Sequence, residues 1–101
     1  MKDRMDKKIN VAIQVLPLSA NHGIYELVDK AIELIQQSGL KYVVCPFETV
    51  IEGHYDEVMA LVKQVQQVLY ANGAEEIITN LKIQTHHNQD VLIHDKMNKY
   101  E

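Results

Sequence analysis

The sequence predicts an α+β fold: a four-stranded antiparallel sheet with two helices on one face. In the first and last strand segments, apolar residues recur at every second position, which is typical of a half-buried strand. Two longer segments repeat apolar residues at helical spacing. Along the 101 residues the order is strand, helix, strand, strand, helix, strand. Two strand–helix–strand units with right-handed crossovers place both helices on the same side of the sheet. The sequence therefore predicts the ferredoxin-like βαββαβ fold.

The first strand and the first helix are predicted in the N-terminal part of the chain. Residues 9–17 alternate β-branched with smaller or polar residues, and Pro17 is expected to end the strand because proline donates no hydrogen bond to a sheet. Ser19–Gly23 is small and polar, and we interpret it as a loop. Gly39 stands where a glycine commonly ends a helix. The helix before it has one apolar stripe, formed by Ile24, Leu27, Val28, Ala31, Ile32 and Ile35.

A hairpin, a second helix and a last strand are predicted in the following part. The β-prone runs Lys41–Pro46 and Thr49–Gly53 lie so close together that a tight hairpin is the economical connection. Asp56–Asn72 carries a second apolar stripe at helical spacing, with acidic residues in its first turn and Asn-Gly as its stop signal. Glu75–His86 alternates again, and we interpret it as the last strand.

Length and composition indicate one domain over residues 1–101, with a charged tail at residues 1–8 and an extension at residues 88–101. We expect the extension to hold a loop and one or two helical turns from about Ile93. The charged tail lacks the apolar core of a signal peptide, and no apolar run reaches the ~20 residues that span a bilayer. The single cysteine, Cys45, fits a reducing compartment, so we expect a cytoplasmic protein without a membrane partner.

Charge and residue types argue against several functions that this fold supports. A net charge of −4 argues against nucleic acid as a partner, because phosphate binding requires a basic surface. The only arginine, Arg4, lies in the tail, so the sequence lacks the arginine that an acylphosphatase needs after its first strand. A single cysteine does not supply the paired thiols of a soft-metal carrier, and we interpret Cys45 as a buried structural thiol. His86 and His87 are adjacent on a predicted strand and point to opposite faces, so we predict no metal site.

Two features of the predicted sheet leave alternatives open. Glu52 interrupts an apolar strand, and it either faces water or lies in a cleft where its carboxylate accepts hydrogen bonds or balances a cation. The sheet face opposite the helices mixes apolar residues with the amides of Gln14, Asn80 and Gln84. Such a face is either an ordinary wetted surface or one that packs against another subunit. We expect the second, and therefore an oligomer.

The segment around Glu52 resembles a known family. Thr49–Gly53, which reads Thr-Val-Ile-Glu-Gly, and the Asp-Glu-Val-Met run at Asp56–Met59 closely resemble the small thiamine-binding protein family, which is related to the YkoF-like proteins. Further matches are Leu16–Leu18, Ser38–Tyr42 and Leu81–Ile83. The resemblance implies a ferredoxin-like subunit that forms dimers or tetramers. It also implies binding of thiamine or its hydroxymethylpyrimidine part as a ligand, without catalysis and without a cofactor.

The chemistry of such a ligand identifies candidate binding residues. Thiamine has a cationic thiazolium and a planar aminopyrimidine whose amine donates and whose ring nitrogens accept hydrogen bonds. A site therefore needs an aromatic or apolar slot and an acceptor. We expect Glu52 to accept from the amine or face the cation, and Thr49 and Ser19 to donate to ring nitrogens. Phe47 or Tyr42 is expected to stack on the ligand.

Two other functions remain as alternatives. One is a small cofactor-free dimeric enzyme of the same fold, which requires a histidine or an acid in an apolar cleft between helices and sheet. Glu52 and His54 are the nearby candidates for that role. The other is a structural or regulatory subunit whose sheet face is its functional surface.

Overall fold

The fold is given by a computed structural model, which describes residues 6–20 and 23–101, apart from the side chains of Ser19 and Ala20. The predicted order of four strands and two long helices is confirmed, and a short helix and a 3-10 turn follow. The elements are β1 (Lys8–Ala20), α1 (Ile24–Gln37), β2 (Lys41–Val44), β3 (Thr49–His54), α2 (Tyr55–Ala71), β4 (Ala74–Gln84), α3 (Ile93–Met97) and the 3-10 turn Asn98–Tyr100.

The four strands form one antiparallel sheet in the order β2-β3-β1-β4. The central strand β1 pairs with β4 along most of its length, from Asn10 to Ala20. Its pairing with β3 is shorter and ends where Ile13 lies opposite Thr49. Among the described residues, β1 therefore has no strand beside it on the β3 side after Ile13. This gap in the sheet positions the candidate site.

The core lies between the sheet and the two long helices. Alternation along β1 turns Ile9, Val11 and Ile13 toward the helices, and all are buried. The helices cover them with Leu27, Ala31 and Ile35 from α1 and Val58, Leu61, Val62, Val65 and Leu69 from α2. Burying a large aliphatic side chain contributes about 1.5–3 kcal/mol, so this one-sided core is the main source of stability.

The helix stop signals predicted from the sequence are confirmed. Gly39 has φ 82°, a left-handed conformation that glycine adopts without strain, and it follows the end of α1. The hydroxyl of Ser38 donates to the Ile35 carbonyl at 2.6 Å, which satisfies a carbonyl that the helix end leaves free. Gly73 has φ 105° at the end of α2, after Asn72, whose side chain donates to the Val68 carbonyl at 2.7 Å.

Two sequence-based boundaries are wrong. Pro17 does not end β1, because β1 has no partner on its β3 side there and proline is tolerated on such an edge. The strand continues through a register shift after Pro17, so Ser19 belongs to β1 and not to a loop. Of the rest of that predicted loop, Ala20 also belongs to β1, Gly23 directly precedes α1, and Asn21 and His22 lie outside the described residues. β4 ends at Gln84, and the His86 and His87 rings stack at 4.8 Å instead of pointing to opposite faces of a strand.

The C-terminal segment packs against the sheet face that the long helices leave open. The Val91 amide donates to the Lys8 carbonyl at 3.0 Å, and the Asn10 side chain donates to the Val91 carbonyl at 2.9 Å. Val91 and Ile93 are buried as a result. The short helix α3 begins at Ile93, where the sequence predicts a helical turn.

Candidate functional site

The predicted ligand-binding residues divide between the two faces of the sheet. Thr49 lies opposite Ile13 and Tyr42 lies opposite Ile51, so both belong to the face that the helices cover. Glu52 lies opposite Asn10 on the other face. The division follows from the strand period of two, because residues separated by an odd number along β3 point to opposite faces.

A cavity of about 210 Å³ opens where β3 begins and β1 continues without a partner on that side. Helix α1 forms one wall, the free edge of β1 forms another, and the turn Cys45–Glu48 between β2 and β3 forms the mouth. A hydrogen bond from the Cys45 amide to the Glu48 carbonyl, 2.9 Å long, closes this turn. The walls are mainly apolar and consist of Ile13, Val15, Leu16, Val28, Ala31, Ile32, Ile35, Val44, Pro46 and Val65.

The polar groups of the cavity are few. Thr49 is 7% exposed, and its hydroxyl has no hydrogen-bond partner among the residues that the structure describes. Gln14 also lines the cavity, and its side chain reaches Asn80 across the sheet, where its Oε1 accepts from Asn80 Nδ2 at 3.2 Å. Cys45 also lines the cavity and is half-buried, not buried as the sequence analysis expected. An apolar cavity bordered by a hydroxyl without an internal partner is suited to a small planar ligand.

The turn at the mouth of the cavity contains an aromatic and an acidic residue. Phe47 is 82% exposed and lines the cavity from the turn. Glu48 follows it, and its Oε1 lies 3.0 Å from Lys82 Nζ. Sequence reasoning missed Glu48. The sequence did contain a signal for Glu48. It lies in the predicted turn directly before β3, and that turn must lie close to the point where the pairing of β1 with β3 ends.

Glu52 and Tyr42 are not among the described residues that line this cavity. Glu52 is 9% exposed, and its Oε1 accepts a hydrogen bond of 2.6 Å from the Ile93 amide at the start of α3. Tyr42 is half-buried and packs against the core. Ser19 has its backbone in β1, and its side chain lies outside the described part of the structure. The structure thus brings Phe47 and Thr49 together and separates both from Glu52.

The groups named for the enzyme alternative also lie apart from the cavity. His54 is exposed, with its Nδ1 3.1 Å from the Asp6 carbonyl oxygen. Glu52 is on the sheet face opposite the long helices. Within residues 6–20 and 23–101, no group of three or more His, Cys, Asp or Glu side chains is placed to hold a metal ion. No helix in the same ranges is long and apolar enough to cross a membrane.

Fold and site together define a small ferredoxin-like chain with a small apolar cavity beside the unpaired edge of β1. Residues 11–101 match the model of the family described as thiamine-binding protein, and the chain belongs to that family. The resemblance stated from the sequence is therefore confirmed.

Relatives and solved structures support the assignment. UPF0045 protein CPE1503 of Clostridium perfringens is 37% identical over 91 residues, which cover 90% of this chain and 95% of the relative. A Bacillus cereus structure described as domain of unknown function DUF77 superposes with a TM-score of 0.90 at 38% identity, covering 99% of this chain and 96% of that one. The structure of Thermotoga maritima TM0486, whose suggested role is thiamine biosynthesis or salvage, gives a TM-score of 0.84 at 33% identity, covering 93% and 99% of the two chains.

Proposed function

We propose that this chain is a cytoplasmic, oligomeric protein that binds thiamine or its hydroxymethylpyrimidine part without catalysing a reaction. The single observation that carries the proposal is an apolar cavity bordered by Thr49, whose hydroxyl has no partner among the described residues, in a chain of the thiamine-binding family. A ligand with a complementary polar edge gives that hydroxyl a hydrogen bond that no described residue supplies.

The cavity volume favours one ring of the ligand. Pockets for drug-sized molecules usually measure ~300–1,000 Å³. The cavity beside α1 measures about 210 Å³, so it suits the aminopyrimidine alone. A thiazolium ring attached to that pyrimidine would then lie at the mouth, beside Phe47.

The polar pattern of the cavity matches an aminopyrimidine. The ligand presents an amine donor next to ring-nitrogen acceptors, and a free strand edge presents N–H donors and C=O acceptors in alternation. Among the described residues, β1 has such a free edge beyond Ile13. The Thr49 hydroxyl both donates and accepts, while Val28 and Ile32 supply apolar contact for the ring.

The proposed site keeps only part of the residue set expected from the sequence. Thr49 binds the pyrimidine edge and Phe47 covers the ring or the mouth. Ser19 continues along the same strand, and its contact with the ligand stays a prediction. Tyr42 supports the core behind the site. We propose that Glu52 holds the C-terminal segment and does not contact the ligand, because its carboxylate accepts a hydrogen bond from the Ile93 amide.

Isothermal titration calorimetry with hydroxymethylpyrimidine and thiamine tests this function. Thr49→Val keeps the shape and removes the hydroxyl, so pyrimidine affinity should fall about tenfold, the equivalent of one hydrogen bond in a buried site. Thr79→Val is the matched control, since the Thr79 hydroxyl accepts from Gln66 Nε2 at 3.0 Å and does not line the cavity. Equal affinities for wild type and Thr49→Val, or no binding of either ligand by the wild type, would overturn the proposal.

The oligomeric part of the proposal rests on the sheet face opposite the long helices. Leu16, Val43 and Ile78 leave large apolar surfaces exposed there. Surfaces of this kind commonly pack against a partner, and a second copy of the chain is the simplest one. Light scattering at micromolar concentration should return a dimer or a tetramer, and a monomer would contradict this part.

A further inference from the structure

The cavity reaches both faces of the sheet. Four consecutive residues of β1, from Ile13 to Leu16, line it. Successive strand residues point to opposite faces, so Gln14 and Leu16 belong to the face opposite the long helices, which we call the outer face. Leu16 lies there opposite Ile78 of β4. Since no described strand pairs with β1 on its β3 side after Ile13, the cavity continues around this free edge and through the gap in the sheet.

A groove on the outer face adjoins the cavity at this gap. The groove measures about 250 Å³, and Asn80 and Lys82 of β4 form one side of it. Gln14, Phe47 and Glu48 line both the groove and the cavity. A molecule that covers the outer face at this groove therefore also borders the cavity.

The part of the outer face near the gap is the part that the chain itself leaves uncovered. The C-terminal segment packs at the other end, where it contacts Asn10 and Glu52. Leu16, Val43 and Ile78, in contrast, are large apolar residues that remain exposed. An exposed apolar surface beside a binding cavity is typical of a contact with another protein chain.

The charges and amides at the groove favour a second copy of this chain as that partner. Glu48 Oε1 and Lys82 Nζ lie 3.0 Å apart, so their charges offset each other, although the chain as a whole has a net charge of −4. Two copies therefore repel each other less here than elsewhere on their surfaces. Gln14 and Asn80 carry amides that both donate and accept hydrogen bonds, so an identical surface is complementary to them.

We infer that a second copy of the chain completes the ligand cavity through the gap in the sheet, and that ligand binding and assembly therefore strengthen each other. This inference rests on the proposed function, because it takes the cavity as the pyrimidine site and the outer face as the contact between copies. In a single copy, the ligand is open to water on the side of Gln14 and Leu16. The second copy excludes this water, which buries more of the ring and strengthens its hydrogen bonds.

The coupling acts equally in both directions. The factor by which assembly raises the affinity for the ligand is also the factor by which the ligand raises the affinity between copies. Couplings between two sites in a protein are commonly about 5- to 150-fold. We expect about tenfold, near the lower end of that range, because the second copy closes one side of the cavity and not all of it.

Two measurements on the wild-type protein test the inference. Equilibrium dialysis with hydroxymethylpyrimidine, at protein concentrations below and above those of assembly, should show about tenfold tighter binding to the assembled protein. Sedimentation equilibrium with and without saturating hydroxymethylpyrimidine should show that the ligand tightens assembly by the same factor. An affinity that is the same at all protein concentrations, or assembly that the ligand does not change, would overturn the inference.

A substitution at the outer face tests it independently. Ile78 is exposed on that face and is not among the described residues that line the cavity. Ile78→Lys should therefore prevent assembly and weaken pyrimidine binding about tenfold while the cavity lining stays intact. Tyr70→Lys is the matched control, because Tyr70 is exposed on α2 and does not line the cavity, and it should assemble and bind like the wild type. Circular dichroism checks that both variants fold, and the wild-type measurements do not depend on either of them.

The outcomes separate this inference from the proposed function. An Ile78→Lys variant that is monomeric and binds like the wild type would overturn the coupling while leaving the cavity as the pyrimidine site. An Ile78→Lys variant that assembles like the wild type would also overturn it, because the outer face would then not be the contact. If the wild type binds neither hydroxymethylpyrimidine nor thiamine at any concentration, the proposed function fails and the coupling fails with it.

Discussion

Thr49 and Glu52 lie on the same strand, yet each is buried in a different way. The Thr49 side chain points toward the helices and borders a cavity, and no described residue pairs with its hydroxyl. The Glu52 carboxylate points to the other face and is covered by the C-terminal segment, where it accepts the Ile93 amide. The comparison teaches that burial of a polar group does not by itself indicate a ligand site. A missing partner does not indicate one alone either, because Asn10 Oδ1, on the Glu52 face, is buried and has no partner among the described residues. Thr49 combines a hydroxyl without an internal partner with a cavity beside it.

The face around Glu52 is held by the protein's own backbone. The Lys8 amide donates to Asp90 Oδ1 at 2.9 Å, and the Val91 amide donates to the Lys8 carbonyl at 3.0 Å. Asn10 donates to the Val91 carbonyl from the strand next to Glu52. Hydrogen bonds contribute about 1 kcal/mol each, and those to a carboxylate about 1.5–3 kcal/mol. Together they fix the start of α3 against β1 and β3.

The largest expected difference between the two faces concerns apolar burial. Ile51 is fully buried on the helix face, whereas Ile78 is 45% exposed on the other face. Ile51→Ala should lower the free energy of unfolding by about 2–5 kcal/mol, and Ile78→Ala by less than about 1 kcal/mol at protein concentrations too low for association. Urea denaturation of both variants, at low and at high protein concentration, measures this. The loss at Ile78 should grow where the chain associates, and a loss that stays the same at both concentrations would contradict the packing proposed for the outer face.

An intermediate effect is expected at Glu52. Glu52→Ala leaves the buried Ile93 amide without its acceptor, which should cost about 1–3 kcal/mol. Glu52→Gln keeps an Oε1 acceptor and should cost less. Hydrogen exchange should become faster at the Ile93 and Val91 amides in the alanine variant and stay unchanged at Val65. If Glu52→Gln instead keeps full stability and loses thiamine affinity, Glu52 contacts the ligand and its assignment to the C-terminal segment is wrong.

The smallest stability effect is expected at Thr49. Since its hydroxyl has no partner among the described residues, Thr49→Val removes no internal hydrogen bond. The free energy of unfolding should change by less than about 0.5 kcal/mol, because the substitution keeps the shape of the side chain and breaks no internal hydrogen bond. Thermal melting without ligand measures this. Destabilisation as large as that of Glu52→Ala would show that the hydroxyl has a structural partner.

The sequence contains most of the information on the fold and less on the site. Periodicity and the glycine stop signals depend on local structure, so the order of strands and helices was predictable. Pro17 was misread because its tolerance depends on where the pairing of β1 with β3 ends, which only the folded sheet reveals. The alternation of β3 already separates Thr49 from Glu52, and that signal was available in the sequence. The partner of Glu52 was not, because Ile93 is distant along the chain and reaches it only through folding.

The position of the ligand on one face of β3 is the central claim, and amide NMR spectra recorded during titration with hydroxymethylpyrimidine test it most directly. The account predicts the largest shift changes at the amides of Thr49, Phe47 and Cys45, which border the cavity. The amides of Glu52 and Ile93, which lie on the covered outer face, should change little. Saturable changes concentrated at Glu52 and Ile93, with none at Thr49, would contradict the account.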